Sequence, residues 1–154
     1  MTMIKSTFGF ALFCLLLGIV PALGAPICGY RETGVVEIIR DGALVDRFAV
    51  TLADTADSRR RGLMNCRSLD PGTGMLFTYP DAGRRTFWMK DTFLELAIVF
   101  ICPKGRIVAI ARGRPGCRDH IHSPDRVQSV LEINFDESHR LGVGDQVRLR
   151  LHDP

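Results

Sequence analysis

Lysine and tryptophan are scarce in this chain. Of its 20 basic residues only Lys5, Lys90 and Lys104 are lysines, the other 17 are arginines, and Trp88 is the single tryptophan. The arginines form no long run and the formal net charge is only +3, so the composition does not favour a nucleic-acid partner. The single tryptophan and one of the three lysines stand together in Trp88-Met89-Lys90, which draws attention to that stretch.

The chain also lacks an apolar segment long enough to span a bilayer, which needs roughly 20 residues. Its longest apolar run, residues 8–20, covers about 13 residues on the scale of a signal peptide. Lys5 precedes that run, and Pro21 and the small-residue site Ala22-Leu23-Gly24 follow it. We therefore predict a signal peptide over residues 1–24, a mature domain over 25–154, and a periplasmic or secreted protein with no membrane span after cleavage.

Few cysteines remain once the predicted signal peptide is removed. They are Cys28, Cys66, Cys102 and Cys117, which allow three full pairings. An extended strand after Cys102 would carry the chain too far for four more residues to bring Cys117 back, which disfavours that bond. In an oxidising compartment we expect Cys28 to pair with Cys66 or Cys117, and Cys102 is a candidate for a buried free thiol.

The 154 residues contain no repeat, low-complexity tract or linker, and they suit one domain. Asp41-Gly42 separates two alternating segments and predicts a tight hairpin. Thr55 or Asp54 should begin a short helix that Gly62 ends or bends.

Further strands are predicted from hydrophobic runs and their turn residues. They fall at residues 74–79, 87–89, 96–102, 106–111, 127–133 and 146–152. Pro80 should stop the first of them, residues 87–89 should be covered on both faces, and Asn134 should cap one helical turn. Residues 113–125 are predicted to form a long loop. Roughly eight short strands, with no crossover helix of ten residues or more, predict an all-β sandwich or barrel with one or two short helices.

Several sequence blocks together resemble a prokaryotic family, the one known as domain of unknown function 192. The blocks are Arg61-Gly-Leu-Met64 with Arg67 and Leu69, Gly74-Met-Leu-Phe77, Phe87-Trp-Met-Lys90 with Thr92, Leu96, Phe100, and Val130-Leu-Glu132. The resemblance covers about residues 48 to 150. It implies a β-sandwich of jelly-roll type, often exported, with no established biochemical activity.

Two positions depart from the pattern that the resemblance implies. The family usually has asparagine where this chain has Asp91, and aspartate where it has Ala97. Ala97 cannot supply a carboxylate. If that aspartate has a chemical role in the family, this chain has lost it or uses a neighbour such as Glu95 or Asp91.

A set of polar and aromatic residues at the ends of predicted elements forms the candidate binding site. These residues are Arg61, Arg67, Trp88, Lys90, Asp91, Thr92 and Glu132. The arginines could hold a carboxylate or phosphate through paired hydrogen bonds, Lys90 could add a charge, and Trp88 could form an apolar platform. The alternative is structural: Arg61 pairs with Glu132 to fix the fold, and residues 87–89 are core.

No catalytic constellation is recognisable in the sequence. A hydrolase needs a paired acid and base, or a nucleophile with a positioned histidine, and all four histidines lie in the last third of the chain. Cys117, His120 and His122 could ligate a metal, but their spacing fits no established motif, so we predict no metal and no cofactor.

The function predicted from these features is binding of a small polar or anionic ligand, or of an envelope partner, by an exported β domain. An envelope hydrolase using Asp91 or Glu132 as general base is one alternative. A structural or accessory domain without ligand is another, and it predicts that Lys90→Ala and Arg67→Ala alter stability alone.

Overall fold

A computed structural model of the protein describes residues 26–152. The predicted signal peptide, residues 1–24, lies outside the described residues. No helix within the described residues combines the length and the apolar character needed to cross a membrane.

The described part of the chain is mainly β, which confirms the predicted class. Its elements are β1 (Gly34–Arg40), β2 (Ala43–Ala53), α1 (Ala56–Arg61), β3 (Thr73–Gly83), β4 (Thr86–Phe87), β5 (Leu96–Ile101), β6 (Ile107–Gly113), β7 (Ile121–His122), β8 (Val127–Asn134), a 3-10 helix (Phe135–Arg140) and β9 (Gln146–Leu151).

Seven strands form one sheet in the order β6-β5-β8-β3-β2-β1-β9, and β4 pairs with β7 in a separate ribbon. The two edges of the large sheet meet through a bridge between Arg106 and Gln146. The Val147 amide donates to the Gly105 carbonyl oxygen at 2.7 Å beside that bridge. The sheet therefore curls so that its two edge strands approach each other at one corner, as in a partly closed barrel.

Two apolar clusters cover the two faces of the curled sheet. The inner cluster draws residues from six of the seven strands, among them Phe48, Leu76 and Leu131, with β9 packing Val147 against it. The outer cluster lies on the opposite face of β3, β5 and β8, and includes Phe77 and Phe100. Because successive strand residues point to opposite faces, each of these three strands serves both clusters.

Local sequence signals placed the first hairpin and the helix correctly. Asp41 and Gly42 have φ values of 50° and 81° between β1 and β2, as the two-residue turn requires. Thr55 caps α1 through a reciprocal pair of hydrogen bonds with Ser58. Gly62 ends the helix at φ 49°.

Jelly-roll connectivity is not confirmed. The sheet contains one parallel pair, β2 with β3, in which Val50 lies opposite Gly74. Residues 54–72, which include α1, make the crossover that a parallel pair needs. A six-residue helix within a longer loop is sufficient for that connection, so the absence of a ten-residue helix did not exclude it.

The prediction that Pro80 ends its strand is wrong, because β3 continues to Gly83. The ladder between β3 and β8 is interrupted between Thr78 and Gly83, so Pro80 occupies a position where no N–H is required. The predicted loop 113–125 contains the two-residue strand β7, whose Ile121 pairs with Phe87.

The cysteines follow one of the two pairings expected from the sequence. Cys28 forms a disulfide with Cys66, with their Cα atoms 5.4 Å apart. Cys102 and Cys117 are free thiols, both half-buried. The disulfide attaches the segment before β1 to the loop that follows α1.

Candidate functional site

A cavity of about 190 Å³ opens between the end of α1, the outer face of β3 and β8, and the chain around β4. Its polar lining consists of Arg59, Arg60, Arg61, Tyr79, Thr86, Thr92 and Glu132, and its apolar lining includes Leu63, Met64, Phe77, Phe87 and Trp88. Three guanidinium groups and one carboxyl group therefore share the cavity with five apolar side chains.

Glu132 is the acidic residue of this cavity. It lies on β8 between Met75 of β3 and Ile98 of β5, both of them in the outer apolar cluster. Only 5% of Glu132 is exposed, and within residues 26–152 its carboxyl group has no hydrogen-bond or ion-pair partner. Burial without a compensating partner raises the pKa of Glu132 to about 8, so the group is mostly protonated at pH 7.

The three arginines at the end of α1 differ in how they are held. Arg59 donates from Nη1 to the carbonyl oxygens of Asp54 at 2.6 Å and Thr78 at 2.8 Å. Arg60 forms an exposed ion pair with Asp57. Arg61 lies over the ring of Tyr30, 4.9 Å from its centroid, and no carboxylate of the described residues pairs with it. Arg61 is therefore the cation of this cavity that remains available to an incoming anion.

The aromatic segment divides its residues between core and cavity rim. Phe87 is buried and packs edge-on against Phe77, with ring centroids 5.1 Å apart. Met89 is buried as well, but Trp88 is 45% exposed. The prediction that this whole segment is covered on both faces is wrong for Trp88, because β4 ends at Phe87 and the chain leaves the sheet there.

Thr92 reaches the cavity, whereas Lys90 and Asp91 do not line it. Asp91 has φ 54°, in the left-handed region that asparagine and aspartate tolerate better than most residues. Its carbonyl oxygen accepts a hydrogen bond from the Asn65 amide at 2.8 Å. Backbone conformation is therefore sufficient to explain an asparagine or aspartate at position 91.

Lys90 lies outside the cavity against its aromatic rim. Its ammonium is 5.6 Å from the centroid of the Trp88 ring and 4.0 Å from an Asp91 carboxylate oxygen. The side chain of Lys90 is 43% exposed. Lys90 is therefore near the ring of Trp88 but does not itself line the cavity.

Arg67 belongs to a neighbouring cavity of about 300 Å³, which Arg61 and Met64 also line. Its guanidinium lies 5.6 Å from the centroid of the exposed Phe93 ring. The disulfide of Cys28 and Cys66 forms part of the same wall. The two arginines of the sequence motif therefore meet at adjacent cavities, with Arg61 between them.

Four of the predicted site residues share the Glu132 cavity, and these are Arg61, Trp88, Thr92 and Glu132. The structural alternative of an Arg61 to Glu132 ion pair is not observed among the described ion pairs, since Arg61 is exposed and Glu132 is buried.

Neither Glu95 nor Asp91, the residues proposed to replace the absent aspartate, lines this cavity, and Ala97 does not line it either. Ala97 faces the inner cluster, on the opposite side of the sheet from Glu132. Glu95 is ion-paired with Arg112 at 2.6 Å.

Sequence reasoning missed Tyr79. Its ring is flanked by the guanidinium carbons of Arg85 at 3.9 Å and Arg59 at 5.0 Å. Burial raises the pKa of Tyr79, and the two nearby cations partly oppose that rise. Strand alternation was the available signal, because it places Tyr79 on the same face of β3 as Met75 and Phe77.

The candidate metal ligands do not form a centre. Among residues 26–152 no group of three His, Cys, Asp or Glu side chains is arranged to hold a metal ion. His122 instead shares a hydrogen bond with the hydroxyl of Thr86, 3.0 Å from its Nδ1.

Comparisons with known proteins agree with this architecture. A solved structure of a proposed transcription regulator from Sinorhizobium meliloti 1021 is 29% identical, with a TM-score of 0.73 over 82% of this chain and 97% of that one. A protein of unknown function from Novosphingobium aromaticivorans DSM 12444 is 28% identical, with a TM-score of 0.71 over 75% of this chain and 84% of that one. No curated protein matches significantly.

The family comparison covers most of the chain. The model of the family DUF192, described as "Uncharacterized ACR", matches residues 36–150, which include every residue that lines the Glu132 cavity. The chain therefore belongs to the domain of unknown function 192 family.

Proposed function

We propose that this domain binds a small polar or anionic molecule in the Glu132 cavity. The observation that carries the proposal is a buried carboxyl group without a partner in a cavity that also exposes an unpaired guanidinium. The Glu132 carboxyl group has little exposure but lines the cavity, so a ligand there can complete its hydrogen bonds.

The cavity limits the size of that ligand. Its volume of about 190 Å³ is below the range of about 300 to 1,000 Å³ typical of drug-sized ligands. Arg61 can bind a carboxylate or phosphate through two parallel hydrogen bonds, and Trp88 offers an apolar surface at the entrance. A compact molecule, or one group of a larger envelope partner, fits these dimensions.

Native mass spectrometry of the protein purified from the periplasm tests the proposal. We expect a co-purifying small molecule that is lost from Glu132→Gln and Arg61→Met but kept by Arg118→Met, an exposed arginine that does not line the cavity. A protein that carries no adduct and binds no member of a metabolite library would instead favour the structural or accessory alternative.

Export is part of the same proposal. The pattern of residues 1–24 and the disulfide of Cys28 and Cys66 support an oxidising compartment outside the cytoplasm. The mass of the intact periplasmic protein checks it, because cleavage after Gly24 leaves a chain that begins at Ala25.

An enzymatic role is the second candidate, and one observation favours it. A carboxyl group with a pKa of about 8 can act as a general acid at neutral pH. Glu132 is the carboxyl group that lines the cavity, whereas Asp91 is exposed outside it. Incubation with envelope extracts, followed by mass spectrometry of released fragments, should then show products with the unmodified protein and none with Glu132→Gln.

A further inference from the structure

The Glu132 cavity has chemically different groups on two sides. The α1 side presents the guanidinium groups of Arg59, Arg60 and Arg61, and the β8 side presents the carboxyl group of Glu132. Tyr79 on β3 is the remaining titratable group of the lining, and the face of β5 next to Glu132 carries only apolar residues. An occupant therefore meets a cationic wall and an acidic wall at the same time.

The acidic wall needs a donor that the described residues do not supply. Arg59 donates hydrogen bonds to two backbone carbonyl oxygens, and Arg60 forms an ion pair with Asp57. Arg61 is not within ion-pair distance of Glu132. A hydrogen bond to an ionised group is stronger than a neutral one, and more so in a poorly hydrated site. An ammonium group, with three N–H donors and a positive charge, complements this carboxyl group best.

We propose that the ligand of this cavity is a zwitterion, an amino acid or a related amino carboxylate, whose ammonium pairs with Glu132 and whose carboxylate binds Arg61. This inference rests on the proposed binding function and specifies its ligand class. The carboxylate suits Arg61 because the guanidinium offers paired donors and has no competing carboxylate nearby. The apolar part of the ligand would pack against Trp88 and Phe87.

Binding of an ammonium group requires Glu132 to give up its proton. Burial keeps the pKa of the empty site near 8, and the arriving positive charge lowers it, since an opposite charge favours the ionised form. The proton leaves to solvent, the ammonium keeps its own, and the bound pair is neutral overall. Binding at pH 7 should therefore release close to one proton per ligand.

Three probes with the same hydrocarbon part isolate each charged group of the ligand. Leucine carries both charges, 4-methylpentanoate lacks the amine, and 3-methylbutylamine lacks the carboxylate. Calorimetric titration at pH 7, in two buffers that differ in ionisation enthalpy, gives both the affinity and the number of protons released. We expect leucine to bind at least about tenfold more tightly than either analogue, with release of close to one proton.

Variants of the chain assign the effect to its residues. Glu132→Gln keeps the shape of the side chain, and it should abolish proton release and weaken leucine binding by about tenfold or more. Arg61→Met should weaken leucine and 4-methylpentanoate but leave the weak binding of 3-methylbutylamine unchanged. Arg118→Met is the matched control, because this exposed arginine does not line the cavity, and it should bind leucine as the unmodified protein does. Thermal unfolding of each variant distinguishes lost binding from lost folding.

Two results would contradict the proposal that the ligand is a zwitterion. If leucine and 4-methylpentanoate bind equally well without proton release, Glu132 stays protonated and the ligand is an anion, so the binding function stands and its ligand class changes. If none of the three probes binds, the amino carboxylate is wrong, and the adduct found by native mass spectrometry decides separately whether the cavity binds any ligand.

Discussion

Two carboxyl groups in this molecule have little exposed area, but they lie at different depths and have opposite electrostatic environments. Asp145 is 4% exposed and Glu132 is 5% exposed. Asp145 accepts hydrogen bonds from two nitrogens of Arg40 at 2.7 and 2.8 Å, and from the Gly142 amide at 2.7 Å. Those hydrogen bonds from Arg40 lower the pKa of Asp145, whereas desolvation alone raises the pKa of Glu132 to about 8.

Asp145 is therefore a carboxylate with a structural role and several hydrogen-bond partners, whereas the carboxyl group of Glu132 has no partner among the described residues. Asp145 lies where the edges of the sheet meet, and its ion pair with Arg40 joins the end of β1 to the turn before β9. The cavity beside that ion pair is larger, about 500 Å³, yet Asp145, the carboxylate of low exposure in its lining, already has its partners. We therefore base the proposed binding site on the carboxyl group without a partner and not on the size of the cavity.

The largest expected effect is a pH dependence of stability that comes from Glu132. Its pKa is about 8 in the folded protein against 4.5 as the reference value, so the folded state binds the proton more tightly. Tighter proton binding by Glu132 in the folded state adds to the unfolding free energy. This contribution is fully present below the reference pKa and is lost as the pH rises through the pKa of the folded protein. Between pH 5 and pH 8 we expect a loss of up to about 4 kcal/mol, from about 1.4 kcal/mol per pH unit.

Denaturant unfolding of the protein and of Glu132→Gln across this pH range measures that loss. The difference between the two curves cancels the titration of Asp145 and of other shared groups. If the difference does not change with pH, the pKa of Glu132 is not raised in the folded protein, and the contrast with Asp145 is wrong.

The disulfide should affect the region around the cavity more than the junction around Asp145. Removing the link in Cys28→Ser with Cys66→Ser frees a loop with a sequence separation of 38 residues. We expect a loss of roughly 3 kcal/mol of unfolding free energy from the added freedom of the unfolded chain. Hydrogen exchange should accelerate at residues 61–67 and change little near Arg40. Cys117→Ser is the control. Equal acceleration of exchange in both regions would show that the disulfide does not stabilise the cavity region selectively.

The ion pair at the barrel junction should contribute a smaller, pH-independent amount at neutral pH. Arg40→Met leaves the buried Asp145 carboxylate with the Gly142 amide as its described donor. We expect a loss of unfolding free energy larger than that of an exposed pair, because the Asp145 carboxylate loses its main partner. Arg60→Met, which breaks an exposed pair, should change stability by less than about 0.5 kcal/mol. Similar losses in both variants would contradict the structural role of Asp145.

The smallest effects on stability should come from the rim of the cavity. Trp88 is 45% exposed and Lys90 contacts only its ring and Asp91, so Trp88→Ala and Lys90→Ala should each cost less than about 1 kcal/mol. Phe87→Ala removes a buried ring one position earlier and should cost about 3 kcal/mol or more. Ligand titration should separate the rim variants, with Trp88→Ala weakening binding more than Lys90→Ala.

Sequence patterns predicted the parts of the fold that depend on neighbouring residues. The Asp41-Gly42 turn and the Thr55 cap follow from backbone preferences within four residues, and both are confirmed. The parallel pairing of β2 with β3 depends on a crossover of 19 residues, from position 54 to 72, and no local signal specifies it. The two-residue strands β4 and β7 are too short to give a periodic pattern.

The candidate site was predictable in its residues but not in its grouping. Sequence blocks singled out Glu132, Arg61 and Trp88. The sequence did not show that Glu132 lacks a partner. The strand register places it between Met75 and Ile98, whose apolar side chains cannot pair with a carboxyl group. Residues adjacent in sequence also separate in space, since Trp88 lines the cavity and the side chains of Lys90 and Asp91 lie outside it.

The pKa of the Glu132 side chain in the unliganded protein is the most direct test. A titration of carbon-13-labelled glutamate carboxyl groups by NMR, with Glu132→Gln to assign the resonance, measures it at a single site. We expect a pKa of about 8. A value at or below the ordinary 4.5 would show that the carboxyl group is hydrated or paired, and would contradict a buried acid left free for a ligand.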